Sequence, residues 1–230
     1  MVSFDVALLF GLAILLIHFF SDKMQDIYIR HKKGLVAFSG GVTLSYLFLY
    51  IFPAIYQVQG RLSKVVFVSV LIGLGIFFIL DRHISRHKMP YKVKAEIREE
   101  HAVALFIYHI LIGIAFVGFS ASFADLLIFF VPIALLTAFS SVSMIEVYEI
   151  EKENTSIKAI LSTSTLIGMI LASIIPISRL LYFPLLGLIG GSLLYLIMND
   201  VIREPERKSF YFFWGMLAYG GIIGVIWWLF

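Results

Sequence analysis

Eight apolar runs follow one another along the 230 residues, separated by polar links. They cover about 5–21, 35–56, 64–81, 101–119, 124–148, 157–177, 180–201 and 208–230. Each is near the roughly 20 residues that a helix needs to cross a hydrocarbon core. Lipid offers no water to backbone N–H and C=O groups, so runs of this kind predict helices, whose backbone bonds are all internal. Only 14% of the residues are charged and 60% are hydrophobic, whereas a soluble domain carries roughly 25% charge. The expected class is an all-α integral membrane protein, one domain over residues 1–230 with eight transmembrane helices.

The links sort the basic residues. Links one, three, five and seven hold 15 of the 18 Lys and Arg: Lys23, Arg30, Lys32, Lys33; Arg82, Arg86, Lys88, Lys92, Lys94, Arg98; Lys152, Lys158; and Arg203, Arg207, Lys208. The even links hold only Arg61, Lys64 and Arg179. Positive residues stay cytoplasmic, so the odd links are expected in the cytoplasm and both termini outside, in a multi-pass protein of the cell membrane. The longest link, 82–100, adds His83, His87 and three Glu, and reads as a solvated basic cytoplasmic loop that sets topology. The net charge of +3 sits in these links, which excludes nucleic acid as a partner. Partners that fit the pattern are the bilayer and a second copy of the chain, as a homodimer.

Other classes are excluded by what the sequence lacks. With no cysteine there is no disulfide frame, thiolate metal site or thiol nucleophile. Met1–Asp5 has no basic n-region and Val6–Phe20 ends without a small-x-small site, so the first run is expected to be a retained span. There is no Gly-rich phosphate loop and no carboxylate pair at membrane depth, and no enzyme is expected.

The polar residues inside spans define a candidate path. His109 lies about halfway along span four, and an ionisable group at that depth marks a functional site by default. A neutral imidazole there can bind a transition metal, relay a proton, or hydrogen-bond a Ser on the next helix. Thr137, Ser140, Ser143 and Glu146 follow along span five, and Ser162 lies in span six. Small hydroxyl residues of this kind also simply bring helices together. Glu146 and Glu149, three apart, are spaced to clamp a cation with His109, and they lie near the cytoplasmic end where carboxylates also snorkel into water. Asp81, Asp125 and Asp200 read as boundary residues.

Span two carries Gly40-Gly41-Val42-Thr43-Leu44-Ser45-Tyr46, and span seven echoes it as Gly190-Gly191-Ser192-Leu193-Leu194-Tyr195. The two spans run in opposite directions under the topology above. Spans one to three and six to eight then form an inverted pair around a central hairpin, a plan common among transporters.

These features resemble the ZIP (Zrt/Irt-like) family of metal transporters. The local matches are Phe38–Leu44 and Leu49–Ala54 in span two, Gly190–Tyr195 in span seven, and Asp200 with Pro205-Glu206 beyond it. The resemblance implies a 3+2+3 inverted-repeat bundle of eight helices and alternating access around helices four and five. It implies a metal site at His109, Glu146 and Glu149, with no resident cofactor and a divalent metal such as Zn²⁺ as cargo. Several family ligand positions are replaced: Tyr50 and Pro53-Ala54 stand where the family has His and Pro-Glu, Ile110–Gly113 follow His109, and Ser140–Glu146 replace the span-five motif. Two further readings follow from those replacements. One is a transport-inactive ZIP-derived interaction or regulatory partner, the other a hydroxyl-lined passage for an uncharged or lipid-like solute.

Overall fold

The computed structural model describes residues 4–21, 25–58, 60–85, 91–118, 122–147, 155–175, 177–202 and 209–229, and all of its regular structure is helical. Along the chain run α1 (Phe4–Phe20), α2 (Gln25–Tyr46), a π turn (Leu47–Ile51), α3 (Phe52–Tyr56), α4 (Arg61–Ser85), α5 (Tyr91–Gly118), α6 (Phe123–Val147), α7 (Thr155–Ile174), α8 (Arg179–Ile202) and α9 (Ser209–Leu229). Every apolar run expected from the sequence is helical. Four stretches are long and apolar enough to cross a membrane: Gly34–Tyr56, Leu62–Ile79, Leu180–Met198 and Ser209–Leu229. Four more, Phe4–Phe20, Leu105–Gly118, Phe123–Ala138 and Ala159–Ile174, are apolar over shorter lengths among the described residues. Much of the expected loop 82–100 is also helical, since α4 runs on to Ser85 and α5 begins at Tyr91. Tyr91–Glu100 follows Pro90 and is rich in Lys, Ala, Glu and Arg, which lose little side-chain freedom in a helix.

Local chemistry places the breaks. Gly60, with φ +74°, turns the chain between α3 and α4, in a region of backbone space that side chains with a Cβ rarely enter. At the start of α6, Ser122 Oγ accepts from the Asp125 N–H at 3.1 Å and donates to Asp125 Oδ2 at 2.7 Å, a reciprocal cap on the first turn. The π turn ends where the Phe52 N–H reaches five residues back to the Leu47 carbonyl. Pro53 comes next and has no N–H to continue the α ladder, so the widened turn sits where the ladder is already interrupted.

Three helix pairs cross through glycines that face one another. A Cβ on Gly41 of α2 would collide with the Phe212 carbonyl of α9, and one on Gly215 with the Phe38 carbonyl. Gly73 and Gly191 meet the Leu188 and Val70 carbonyls across α4 and α8, and Gly113 and Gly168 meet the Thr165 and Ile110 carbonyls across α5 and α7. Small residues at such crossings bring backbones close enough for dispersion to hold helices together without a hydrophobic drive.

The helices form two groups. In one, α1 lies on α7, α6 and α5, and α5 pairs with α7; in the other, α2 pairs with α9 and α4 with α8, while α2 also touches α8. The main contacts between the groups are α2 with α6 and α5 with α8. Exchanging α1 with α7, α2 with α8, α4 with α9 and α5 with α6 carries α2–α9 onto α4–α8, α2–α6 onto α5–α8 and α5–α7 onto α1–α6, while the α1–α5 contact has no comparable counterpart between α7 and α6 among the described residues. Gly41 and Gly191, the echoed glycines, occupy the crossings that this exchange relates.

Burial is arranged for an apolar surrounding. Leu71, Ile79, Leu180 and Trp228 are exposed on the outside, while His18, Thr43, Ser45, His109, Thr137, Ser162, Ser164 and Thr165 are buried. An interior core of Tyr46, Leu47, Ile51, Ile112, Phe116, Phe129 and Ile133 joins the groups, with Phe116 and Phe129 edge to face at 4.6 Å. Apolar side chains outside and hydroxyls within are compatible with a membrane location.

Candidate functional site

α1 presents one helical stripe to the interior: Ala7, Gly11, Ile14 and His18. The small residues let α7 come close, with Met169 packed over Gly11. His18, one turn further on, is thereby carried into the bundle and is only 3% exposed. α5 delivers His109 to the same place, also 3% exposed, with the two rings edge to face and their centroids 5.4 Å apart. α7 supplies Ser162, whose Oγ lies 3.3 Å from His18 Nδ1. Three helices thus converge on two imidazoles and a hydroxyl.

The hydrogen bonds decide which ring atoms are available. His109 Nδ1 is 2.8 Å from the Leu105 carbonyl oxygen one turn back on its own helix. A carbonyl can only accept, so Nδ1 carries the proton, and in the neutral ring the lone pair is on Nε2. A backbone carbonyl that fixes the tautomer in this way is the arrangement that supports a metal-binding imidazole. Beside it, the Tyr108 ring packs on His109 at 5.7 Å and on Phe77 of α4 at 5.5 Å. Ser164 donates to the Leu161 carbonyl at 2.5 Å. Thr165 Oγ1 is buried without a hydrogen-bond partner among the described residues.

The expected residues are distributed unevenly. His109 is buried, and its ring bonds a carbonyl of its own helix, that of Leu105, where a Ser on the next helix was one expectation. Ser162 reaches the site through His18. Thr137 is buried on α6. Ser140, Ser143 and Glu146 fall on the α6 backbone, their side chains lying outside the described residues, and Glu149 lies outside them altogether. Among the described residues no three His, Cys, Asp or Glu gather into a metal-sized group. Two imidazole nitrogens and nearby hydroxyls are the donors the described part of the site offers, where a zinc ion takes about four N, O or S ligands.

His18 is the residue that sequence reasoning missed, because a His at the end of a span looks like a boundary group. Its signal was there: Ala7, Gly11, Ile14 and His18 repeat at helical spacing, so a stripe of small and apolar residues points the imidazole inward.

A second polar cluster lies where α2 meets α6. Tyr50, in the π turn, donates to Asp125 Oδ1 at 2.5 Å, and Tyr219 of α9 donates to the Ile128 carbonyl at 2.6 Å. Tyr46 stacks on Tyr50 at 5.7 Å and 21°. Asp125, expected only as a boundary residue, is a bonding partner across helices.

No family model matches the sequence. No curated protein matches it either.

Proposed function

We propose that the chain is a ZIP-like membrane transporter that moves a divalent metal cation or another small solute by alternating access around α5 and α6. The observation that carries this reading is the buried pair His18 and His109, with centroids 5.4 Å apart beside Ser162 in a bundle with a largely apolar core. Desolvating imidazoles costs free energy, and chains that bury them inside a membrane mark solute or proton paths by doing so. In this reading the chain crosses eight times as a 3+2+3 inverted repeat with both termini outside. The strong bias of basic residues to odd links supports that topology. The exchangeable helix pairings, and the matched crossings at Gly41 and Gly191, support the repeat.

For a metal cargo, His109 Nε2 and the His18 ring would contribute nitrogen donors, and Glu146 and Glu149, whose side chains lie outside the described residues, would have to complete the set. The test is flux of Zn²⁺ into vesicles holding the purified chain. Uptake above that of empty vesicles, lowered by His109→Ala, is the expected result; uptake equal to empty vesicles for several divalent ions and small polar solutes would remove the reading.

The replaced family ligands favour a second reading, a transport-inactive partner protein. Tyr50, at the place of a family His, is occupied in a hydrogen bond to Asp125. Recovery of one crosslinked partner, with no change on His109→Ala or Glu146→Ala, is the outcome that would select it.

A further inference from the structure

The two helix groups are tied across their boundary by tyrosine hydroxyls. Tyr50 and Tyr219 belong to one group, and both of their acceptors, Asp125 Oδ1 and the Ile128 carbonyl, lie in the first two turns of α6 in the other. Behind these bonds the boundary is tightly buried. Tyr46 is completely buried, and its hydroxyl has no hydrogen-bond partner among the described residues. The same holds for the hydroxyl of Tyr108, across the boundary on α5, whose ring rests on Phe77 of the opposite group. Tyr46 in turn rests on Phe129 of α6, across the same boundary, with ring centroids 6.0 Å apart.

A phenol without a partner is costly in a dry interior and costs nothing once water reaches it. Two such hydroxyls on either side of one boundary therefore favour a wet seam, and the dry one has to be held. Tyr50 and Asp125 are placed to hold it, because a hydroxyl on a carboxylate is among the stronger protein hydrogen bonds. Tyr50 also sits in the π turn, where one residue more than an α-helix needs is accommodated ahead of Pro53. Such turns occur as local irregularities in α-helices, often at working sites.

We propose that Tyr50 and Asp125 form a latch between α2 and α6 that keeps the Tyr46–Tyr108 seam dry when closed and lets water reach those hydroxyls when open. Its purpose rests on the transporter reading, since a solute path must open to water; its geometry does not.

The absence of cysteine makes the test direct. Tyr108→Cys is placed as the single thiol in the full chain, reconstituted in vesicles, and its reaction with a small membrane-impermeant methanethiosulfonate is timed against Gln57→Cys at an exposed turn. The reporter alone should react far more slowly than Gln57→Cys. Adding Tyr50→Phe should raise its rate at least tenfold, Asp125→Asn should do the same, and the two together should add little beyond either, as partners in one bond do. Should Tyr108→Cys fail to elute as a folded species, Tyr46→Cys serves as reporter with the same expectations. Rates within twofold of the reporter alone in both latch variants would overturn the latch, as would a reporter that already reacts as fast as Gln57→Cys. Faster labelling in Tyr50→Phe without solute flux in any variant supports the latch while removing the transporter reading. Flux that depends on His109 while labelling stays unchanged removes the latch alone.

Discussion

The imidazole pocket and the tyrosine seam are both polar regions buried in the same apolar bundle, yet they satisfy their polar groups in different ways. In the pocket the bonds are mostly local: His109 to the carbonyl of Leu105 and Ser164 to that of Leu161, each within one helical turn, with His18 and Ser162 meeting on adjacent helices of a single group. In the seam the bonds run between groups and between distant parts of the chain, Tyr50 to Asp125 across 75 residues and Tyr219 to Ile128 across 91. A local bond moves with its helix and survives a rearrangement of groups. A bond across a boundary records one arrangement and is lost in another. A relative shift of the two groups would therefore leave the pocket's bonds in place and break those of the seam.

The largest expected effect tests the pocket. His109→Ala should lower Zn²⁺ uptake by about tenfold or more, the scale on which loss of a metal-orienting group is felt. His18→Ala should do nearly the same, whereas Tyr50→Phe should leave the affinity for the ion unchanged even where it alters rate. Equal loss of affinity in all three, read from flux against ion concentration, would erase the distinction between the regions.

Next in size is the seam's contribution to stability. Tyr50→Phe removes a hydrogen bond to a carboxylate, worth about 1.5–3 kcal/mol, and should lower the midpoint of thermal unfolding in detergent by several degrees. Asp125→Asn should cost as much or more, since it also weakens the cap on α6. An unchanged midpoint in both would mean that the bond across the groups contributes nothing.

A smaller effect is expected within the pocket. Ser162→Ala should cost about 0.5–1.5 kcal/mol, the usual net worth of one neutral hydrogen bond, and should reduce uptake less than His18→Ala because it leaves both imidazoles in place. Unfolding midpoints and uptake measured on the same preparations separate the two consequences.

The smallest effect has the most telling sign. Tyr46→Phe deletes a buried hydroxyl that has no partner among the described residues and keeps the ring stacked on Tyr50. It should be neutral or slightly stabilising, because it removes a desolvated group and no bond. A loss of more than about 1 kcal/mol would show that this hydroxyl is bonded in the folded protein.

Much of this protein was legible in its residue order. The apolar runs located the long helices among the described residues but not their full extent, since α2 begins at Gln25 and α5 at Tyr91, ahead of their apolar runs. The echo of Gly40-Gly41 in Gly190-Gly191 marked two of the crossings, since only residues without a Cβ permit that approach. His109 was recognisable because an ionisable side chain in the middle of an apolar run has nowhere to go but inward. Tertiary structure alone decided what each of these residues would meet. That His18 faces His109, and that Tyr50 reaches Asp125, depends on how helices far apart in the chain are brought side by side. Hydropathy is a property of each residue and can be read in order. Partnership between side chains is a property of packing, and no local pattern carries it across 75 residues.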